Sequence, residues 1–140
     1  MTDHLAIRAV IAAWTEALHG RDAAAVMACQ SADFVAFSLA PPLRADPAGP
    51  FGLEAWLQTW EGPLHYDLRD LSITAGEQVA FAHALVNMRG TKTGGYETDL
   101  WFRITLGFTR TGGDWRIVHE HDSVPFYMDA EMRAAVDLKP

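Results

Sequence analysis

The sequence predicts an α+β fold in which N-terminal helices pack on one face of a bent antiparallel sheet. Apolar residues recur with a helical period near the N-terminus, and they alternate with polar residues over most of the chain after His65. A Gly112-Gly113 pair separates two long alternating runs, as is typical of a tight hairpin. Helices that precede a run of strands indicate that the two kinds of element form separate layers.

Three helices are predicted, and they cover residues 3–19, 23–30 and 51–61. Thr2 or Asp3 can cap the start of the first helix, and Gly20 can end it. Asp22 can cap the second helix. Residues 39–50 contain four prolines and no helical period, so they are predicted to form a loop before the third helix.

The predicted strands cover residues 33–38, 65–74, 78–89 and the two arms of a hairpin that runs from 96 to 126. In the second of these strands the apolar residues change parity, since Tyr66 and Leu68 alternate in one phase and Leu71 and Ile73 in the other. A β-bulge near Arg69-Asp70 would reconcile the two phases and bend the sheet. Residues 130–136 after the hairpin are weakly helical in pattern.

The hairpin register decides which side chains face the helices. If Gly112-Gly113 is a two-residue loop, Ile117 lies opposite Phe108, and the same phase places His119 opposite Leu106 and His121 opposite Ile104. We therefore expect the odd-numbered side chains of the last strand to point inward. Such a face is apolar near the turn and carries imidazole and hydroxyl groups towards Ser123.

Composition and charge limit the classes of protein to which this chain can belong. The chain has 140 residues, which predicts one domain over residues 1–140. Its net charge of −7 and its lack of a basic run argue against nucleic-acid binding. Cys29 is the single cysteine, so no intramolecular disulfide forms. We see no signal-peptide pattern and no apolar run near the ~20 residues that span a bilayer, and we expect a cytoplasmic protein without membrane contact.

Several stretches resemble the nuclear transport factor 2-like superfamily, and its SnoaL-like or ketosteroid-isomerase-like bacterial branch most. These are residues 79–83, Gly90-Thr91, residues 101–105 and residues 113–126. The last is also similar to the tail of the calcium/calmodulin-dependent kinase association domain, which has Trp and then His-x-His-x-Ser. The resemblance implies a cone-shaped fold. The superfamily includes isomerases, polyketide cyclases, dehydratases, transport factors and assembly domains, so the function must be argued from the site.

His119 and His121 are the first candidates for catalysis, because imidazole can carry a proton near neutral pH. Asp46 is the third, since Asp46-Pro47-Ala48-Gly49 resembles the Asp-Pro-x-Gly around the base of ketosteroid isomerases. A structural role for the histidines remains open, and we expect neither a metal site nor a cofactor. The candidate ligand-binding residues could line a pocket for a flat hydrophobic ligand or simply pack in the core; they are Trp14, Trp56, Trp60, His83, Asn87, Phe102 and Ser123.

Ketosteroid isomerases need a Tyr hydroxyl and a protonated acid beside the base. Trp14 stands on the first helix where such enzymes resemble one another in placing a Tyr, and Trp cannot act as an acid. We therefore expect no steroid isomerase activity. The leading hypothesis is a SnoaL-like enzyme of isomerase, cyclase or dehydratase type that acts without a cofactor on a hydrophobic carbonyl compound. The alternative is a non-catalytic ligand-binding or dimeric assembly module.

The opposite face of the hairpin is predicted to form a homodimer interface. It carries Trp101, Arg103 and Thr105, and an aromatic side chain with charges on a broad sheet suits an interface. The same register places Arg103 near Glu120, so the two side chains could pair across the strands. A solvated face with surface ion pairs is the other possibility.

Overall fold

A computed structural model describes residues 2–45 and 52–140. Within these ranges the helices are α1 (Asp3–His19), α2 (Ala23–Ala28) and α3 (Leu53–Leu57), and the strands are β1 (Gln30–Phe37), β2 (Trp60–Ala75), β3 (Val79–Lys92), β4 (Tyr96–Thr111) and β5 (Asp114–Ser123). The α+β prediction is confirmed. The third helix is shorter than expected, because Trp60 already pairs with Lys92 in the sheet. Residues 130–136 contain no helix.

The five strands form one curved, open sheet in the order β1-β5-β4-β3-β2. β2 to β5 form the expected antiparallel meander, whereas β1 pairs parallel to β5 at the other edge. The predicted bulge in β2 is confirmed, since the register with β3 shifts between Arg69 and Ser72 and Asp70 has φ of 58°. This bulge lets the apolar residues on both sides of it face the core.

The core lies between α1 and the concave face of the sheet. α1 begins where Thr2 Oγ1 accepts a hydrogen bond from the Leu5 amide at 3.3 Å, and its buried face includes Ile7, Ile11 and Trp14. The first inward residues of β3 are small, with Ala82 and Ala84 both buried, and Val86 and Met88 follow them. The inward residues of β4 are large and buried, and they are Phe102, Ile104, Leu106 and Phe108.

The β4–β5 hairpin has the predicted turn but not the predicted register. Thr111 pairs with Asp114 across Gly112-Gly113, and Ile117 lies opposite Phe108 as expected. The next pair, however, is Gly107 with His119, so Val118 is an extra residue on β5. The expectation that His119 lies opposite Leu106 is therefore wrong.

The bulge at Val118 exchanges the two faces of β5. A shift of one residue turns every later side chain to the other side of a strand. Glu120 lies opposite Leu106 and Asp122 opposite Ile104, and both therefore point to the concave side. His121 lies opposite Thr105 and points to the convex side. The odd-numbered side chains after Val118 thus face outward, contrary to expectation.

Candidate functional site

Two acidic side chains, Glu120 and Asp122, point into the concave side of the sheet. They stand two residues apart on one strand, opposite the buried Leu106 and Ile104. As whole residues both are only partly buried, although Oδ1 of Asp122 is itself buried. Acidic residues are rarely placed among core side chains, and those that are need a partner. The bulge at Val118 thus creates an interior acid pair.

The pair holds a proton. Desolvation by burial, then the charge of Glu120 and a hydrogen bond to it, raise the pKa of Asp122 from 3.8 to about 11. Burial also raises the pKa of Glu120, while its hydrogen bond with Asp122 and the charge of His119 act in the opposite sense. The protonated Asp122 therefore donates to the Glu120 carboxylate, and the two groups titrate as a coupled pair. The pair thus places a proton donor beside a proton acceptor on one strand.

Tyr66 is a buried residue on the same concave side of the sheet. It lies on β2, which is three strands away from β5 in the sheet order. Burial, then the charges of Asp122 and Glu120, raise the pKa of the Tyr66 hydroxyl well above its usual value of 10. The hydroxyl therefore stays protonated and can act as a hydrogen-bond donor.

Aromatic side chains continue the wall around Tyr66. The Tyr66 ring meets Trp14 of α1 edge-on at 5.5 Å between centroids and Phe102 of β4 at 5.9 Å. Two polar atoms here are buried and have no hydrogen-bond partner among the described residues, namely Nε1 of Trp14 and Oδ1 of Asp122. Unpaired buried polar atoms are costly, and they are often found where a ligand binds.

The sequence-predicted site residues fall into three groups. Trp14, Trp60 and Phe102 are buried on the concave side, and Trp56 is half-buried with its ring 5.9 Å from that of Trp60. Asp46 lies outside the described residues. The remaining candidates lie on the convex face, and they are His83, Asn87, His119, His121 and Ser123.

Three of the convex-face candidates, Asn87, Ser123 and His119, already have a local hydrogen-bond partner. Asn87 donates to Asp99 at 2.8 Å, and Ser123 accepts from Arg103 Nε at 3.1 Å. His119 donates through Nδ1 to the Val35 carbonyl at 2.7 Å, which ties β5 to β1. His121 is exposed on the same face. The structure therefore does not bring these side chains together with the aromatic wall, because the bulge at Val118 moves them to the other side of the sheet.

The convex face also carries the residues of the predicted dimer interface. Trp101, Arg103 and Thr105 alternate on β4 away from the core, and the Arg69 guanidinium lies 5.9 Å from the Trp101 ring. The expected pairing of Arg103 with Glu120 is wrong, because Glu120 has turned to the concave side. Arg103 instead contacts Ser123.

Two further findings concern metals and membranes. Among residues 2–45 and 52–140, no three His, Cys, Asp or Glu side chains are arranged to hold a metal ion. Over the same part of the chain, none of the helices has the length and apolar character that crossing a bilayer requires.

Comparisons with solved structures agree with this architecture. An NTF2-like protein of unknown function from Pseudomonas putida KT2440 is 30% identical over 100% of this chain and 99% of its own, with a TM-score of 0.78. An NTF2-like superfamily protein from Salmonella enterica is 15% identical over 89% of this chain and 92% of its own, with a TM-score of 0.74. The association domain of C. elegans CaMKII is 14% identical over 86% of this chain and 94% of its own, with a TM-score of 0.66.

The search of curated proteins gave no match. The model of the SnoaL-like domain family, however, matches residues 7–127, which include most of α1, all five strands and the acid pair. The chain therefore belongs to the SnoaL-like domain family and has the NTF2-like fold.

Proposed function

We propose that this protein is an enzyme of isomerase, cyclase or dehydratase type that acts without a cofactor on a small hydrophobic carbonyl compound. The observation that carries the proposal is the hydrogen-bonded pair of Glu120 and Asp122 on the concave side of the sheet. A carboxylate beside a carboxylic acid supplies both a general base and a general acid. The aromatic wall formed by Trp14, Tyr66 and Phe102 suits a flat apolar substrate.

Glu120 and Asp122 have different roles in the proposed reaction. Before substrate binds, the protonated carboxyl group of Asp122 donates a hydrogen bond to the Glu120 carboxylate. A substrate carbonyl oxygen that accepts this hydrogen bond instead frees the Glu120 carboxylate. Glu120 then takes a proton from the carbon next to the carbonyl, and the electron pair of the broken C–H bond moves towards the oxygen. Asp122 stabilises the resulting enolate, as an oxyanion donor does in other enzymes.

The enolate can continue in three ways, which correspond to the three reaction types. Return of the proton from Glu120 to another carbon gives an isomer. Loss of a hydroxyl group from the neighbouring carbon, with a proton supplied by the acid, gives water and an alkene. Attack of the enolate carbon on a second carbonyl closes a ring, and the proton taken by Glu120 returns to the oxygen of that second carbonyl to give a hydroxyl group. The Tyr66 hydroxyl supports each route as a second donor, because it remains protonated.

His119 and His121 remain the rival proton carriers. Their position on the convex face, with His119 bonded to Val35, favours a structural role for His119. An experiment must therefore distinguish a role of the concave-face residues of β5 from a role of the convex-face residues of the same strand.

Hydrogen–deuterium exchange tests the first step without knowledge of the final product. Small hydrophobic ketones in D2O are followed by NMR for loss of the proton next to the carbonyl. We expect Glu120→Gln to slow the enzyme-dependent exchange by about 10²-fold or more. The double variant His119→Ala, His121→Ala is the matched control on the opposite face, and we expect it to retain exchange when compared at a temperature where it is folded.

Two results would contradict the acid-pair proposal. Exchange at the wild-type rate in Glu120→Gln would remove Glu120 as the base. Loss of exchange in the folded histidine variant alone would transfer the role to the imidazoles. Tyr66→Phe gives a smaller expected loss, of about ten-fold, because it removes one of two donors and keeps the ring.

A second candidate is a dimeric assembly or ligand-binding module. The observation that favours it is the convex face, where Trp101, Arg103 and Thr105 lie on a broad sheet, in a fold shared with an association domain. Analytical ultracentrifugation of Thr105→Glu tests it, with Ala24→Glu on the exposed side of α2 as the control. We expect the first variant alone to sediment as a monomer. Wild-type protein that sediments as a monomer would reject the interface.

A further inference from the structure

A cavity lies between the C-terminal half of α1 and β2, which is an edge strand of the sheet. Its volume is about 270 Å³, and its lining is mostly polar, formed by Thr15, Glu16, His19, His65, Tyr66 and Asp67. Glu120 and Asp122 are not part of this lining, so the cavity and the acid pair are distinct sites. A volume equal to that of several water molecules is enough for a partly hydrated ion.

Two imidazoles approach each other in this cavity. His19 is the last residue of α1 and His65 lies on β2, and their ring centroids are 5.2 Å apart with 61° between the ring planes. Imidazole nitrogens bind Zn²⁺ at about 2.0–2.1 Å in a tetrahedral arrangement, which places the centroids of two such rings roughly 5 Å apart. The two rings are therefore spaced as two ligands of one metal ion.

The hydrogen bond of His19 decides which of its nitrogens can bind a metal. Nδ1 lies 3.1 Å from the Leu64 carbonyl oxygen, and because a carbonyl can only accept, Nδ1 carries the proton. In the neutral ring Nε2 then holds the free lone pair. Metal-binding histidines characteristically donate their other N–H to a carboxylate or a backbone carbonyl, which orients the ring. His19 already makes this second contact.

Two carboxylates also line the cavity. Asp67 is already paired with Arg89 at 2.9 Å. Glu16 precedes His19 by three residues, so the two side chains lie on the same face of α1. Glu16 is exposed, and its side chain can rotate towards the imidazoles. In the described part of the chain three such side chains do not yet converge, so this rotation is what completes a three-ligand site.

The charges around the cavity favour a cation over an anion. Carboxylate and phosphate ligands are normally held by Arg or Lys, whereas the charged side chains of this lining are Glu16 and Asp67. The C-terminal end of α1, where His19 stands, is the negative pole of the helix dipole. Imidazole combined with carboxylate suits Zn²⁺ and similar transition metals, whereas Ca²⁺ and Mg²⁺ prefer oxygen ligands alone.

We propose that His19 and His65, with Glu16 as the third ligand, bind a divalent transition-metal ion such as Zn²⁺, and that water takes the fourth position. The ion joins the end of α1 to the edge strand β2, so it stabilises the folded protein. Because His19 and His65 are far apart in the chain, their spacing in the sequence does not indicate this site. The site takes no part in the proposed proton transfer, so the two proposals can fail separately.

Titration of the tag-free protein with zinc chloride tests the site. Isothermal titration calorimetry at pH 7.5 should give one ion per chain and a dissociation constant in the micromolar range or below. His19→Ala and His65→Ala should each weaken binding by about ten-fold or more, because loss of a ligand costs at least as much as loss of an outer-shell partner. Glu16→Gln should weaken it by a smaller factor, about three-fold. Imidazole ¹⁵N NMR should show the zinc-dependent change of His19 at Nε2.

His119 and His121 provide a matched control pair on the convex face. Their ring centroids are 6.2 Å apart, but the Phe37 ring meets both of them edge-on, at 4.9 and 5.4 Å. An aromatic ring, rather than an open cavity, therefore lies beside these two imidazoles. We expect His121→Ala to bind zinc with an affinity within about two-fold of that of the wild type, as for a change outside the site.

Several results would overturn the proposal. They are zinc binding weaker than millimolar, wild-type affinity in both His19→Ala and His65→Ala, and a loss of binding confined to His121→Ala. If His19→Ala does not fold, His65→Ala decides the result, because it leaves the hydrogen bond between His19 and Leu64 in place. Unchanged affinity in Glu16→Gln would reject Glu16 as a ligand.

Discussion

The two halves of β5 differ in how they relate to the rest of the sheet. In the first half, Trp115 and Ile117 face the core and continue the alternation that β4 shows along its whole length. In the second half the alternation is inverted, so that Glu120 and Asp122 take the inward positions and His121 an outward one. The extra residue, Val118, separates a half that stabilises the fold from a half that carries ionisable groups on both faces.

This difference shows that one β-bulge can decide the chemistry of a site. With unbroken pairing, the interior would hold two imidazoles; with the bulge, it holds two carboxyls that share a proton. The four predictions that follow either abolish the difference between the two halves or measure it, and they are ordered by the size of the expected effect.

Deletion of Val118 removes the bulge. Restored alternation would turn Glu120 and Asp122 to the convex face and separate His119 from the Val35 carbonyl. We expect the free energy of unfolding, measured in urea, to fall by more than about 4 kcal/mol, the range of severe single changes. Val118→Ala keeps the residue count and should cost about 1 kcal/mol or less. A stable deletion variant that retains proton exchange would show that the bulge does not position the acids.

Truncation of Ile117 probes the first half of β5. Its side chain has 0% of its surface exposed and lies opposite Phe108. Ile117→Ala should lower the free energy of unfolding by about 2–5 kcal/mol, because it removes buried methyl groups and leaves a cavity. Urea unfolding gives the value. A loss below about 1 kcal/mol would mean that this half contributes less to the core than its burial implies.

Replacement of Asp122 by Asn probes the second half through pH. Folded Asp122 keeps its proton up to pH about 11, whereas an exposed Asp releases it near 3.8. Between these values the folded state binds more protons than the unfolded state, so unfolding of the wild type becomes easier as the pH rises. Asp122→Asn lacks this effect, and its stability relative to wild type should grow by up to about 1.4 kcal/mol per pH unit.

Thermal unfolding at pH 5, 7 and 9 measures this divergence. The melting temperature of Asp122→Asn minus that of the wild type should increase as the pH rises, although the variant lacks the proposed general acid. Parallel dependence of the two melting temperatures on pH would contradict the assigned proton.

His121→Ala should have the smallest effect. The side chain is exposed, and its main neighbour is the Phe37 ring at 5.4 Å. We expect a change of about 0.5 kcal/mol or less, as for most exposed positions. A loss comparable with that of Ile117→Ala in urea unfolding would show that the convex face is covered in solution, as the dimer proposal requires.

The same contrast explains what could be predicted from the sequence. The bulge in β2 was visible because Tyr66 and Leu68 lie in one phase and Leu71 and Ile73 in the other. Apolar residues on both sides of an irregularity report the change of phase. The layered fold followed from such long patterns, whereas the family resemblance followed from the residues at 79–83, 90–91, 101–105 and 113–126. Both are confirmed.

The bulge in β5 leaves no such signal. After Val118 every residue up to Ser123 is polar, so the two phases look alike in the sequence. Unbroken pairing from the Gly112-Gly113 turn predicts imidazoles on the inward face, and the register shift makes this prediction wrong. Local rules fail most often at functional sites, where an unfavourable placement is retained for its chemistry. For Tyr66 the sequence pattern reveals only its phase in β2, and its nearness to the acid pair appears only in the folded sheet.

The parallel pairing of β1 with β5 also constrains how the chain can fold. Val35 and His119 are joined by a hydrogen bond although 84 residues separate them. During synthesis on the ribosome, β1 is therefore made long before β5. The edge of β1 stays unpaired until the β4–β5 hairpin has formed. Contacts of such long sequence separation slow folding and expose strand edges to association. The acid-bearing strand is thus the one whose arrival completes the sheet.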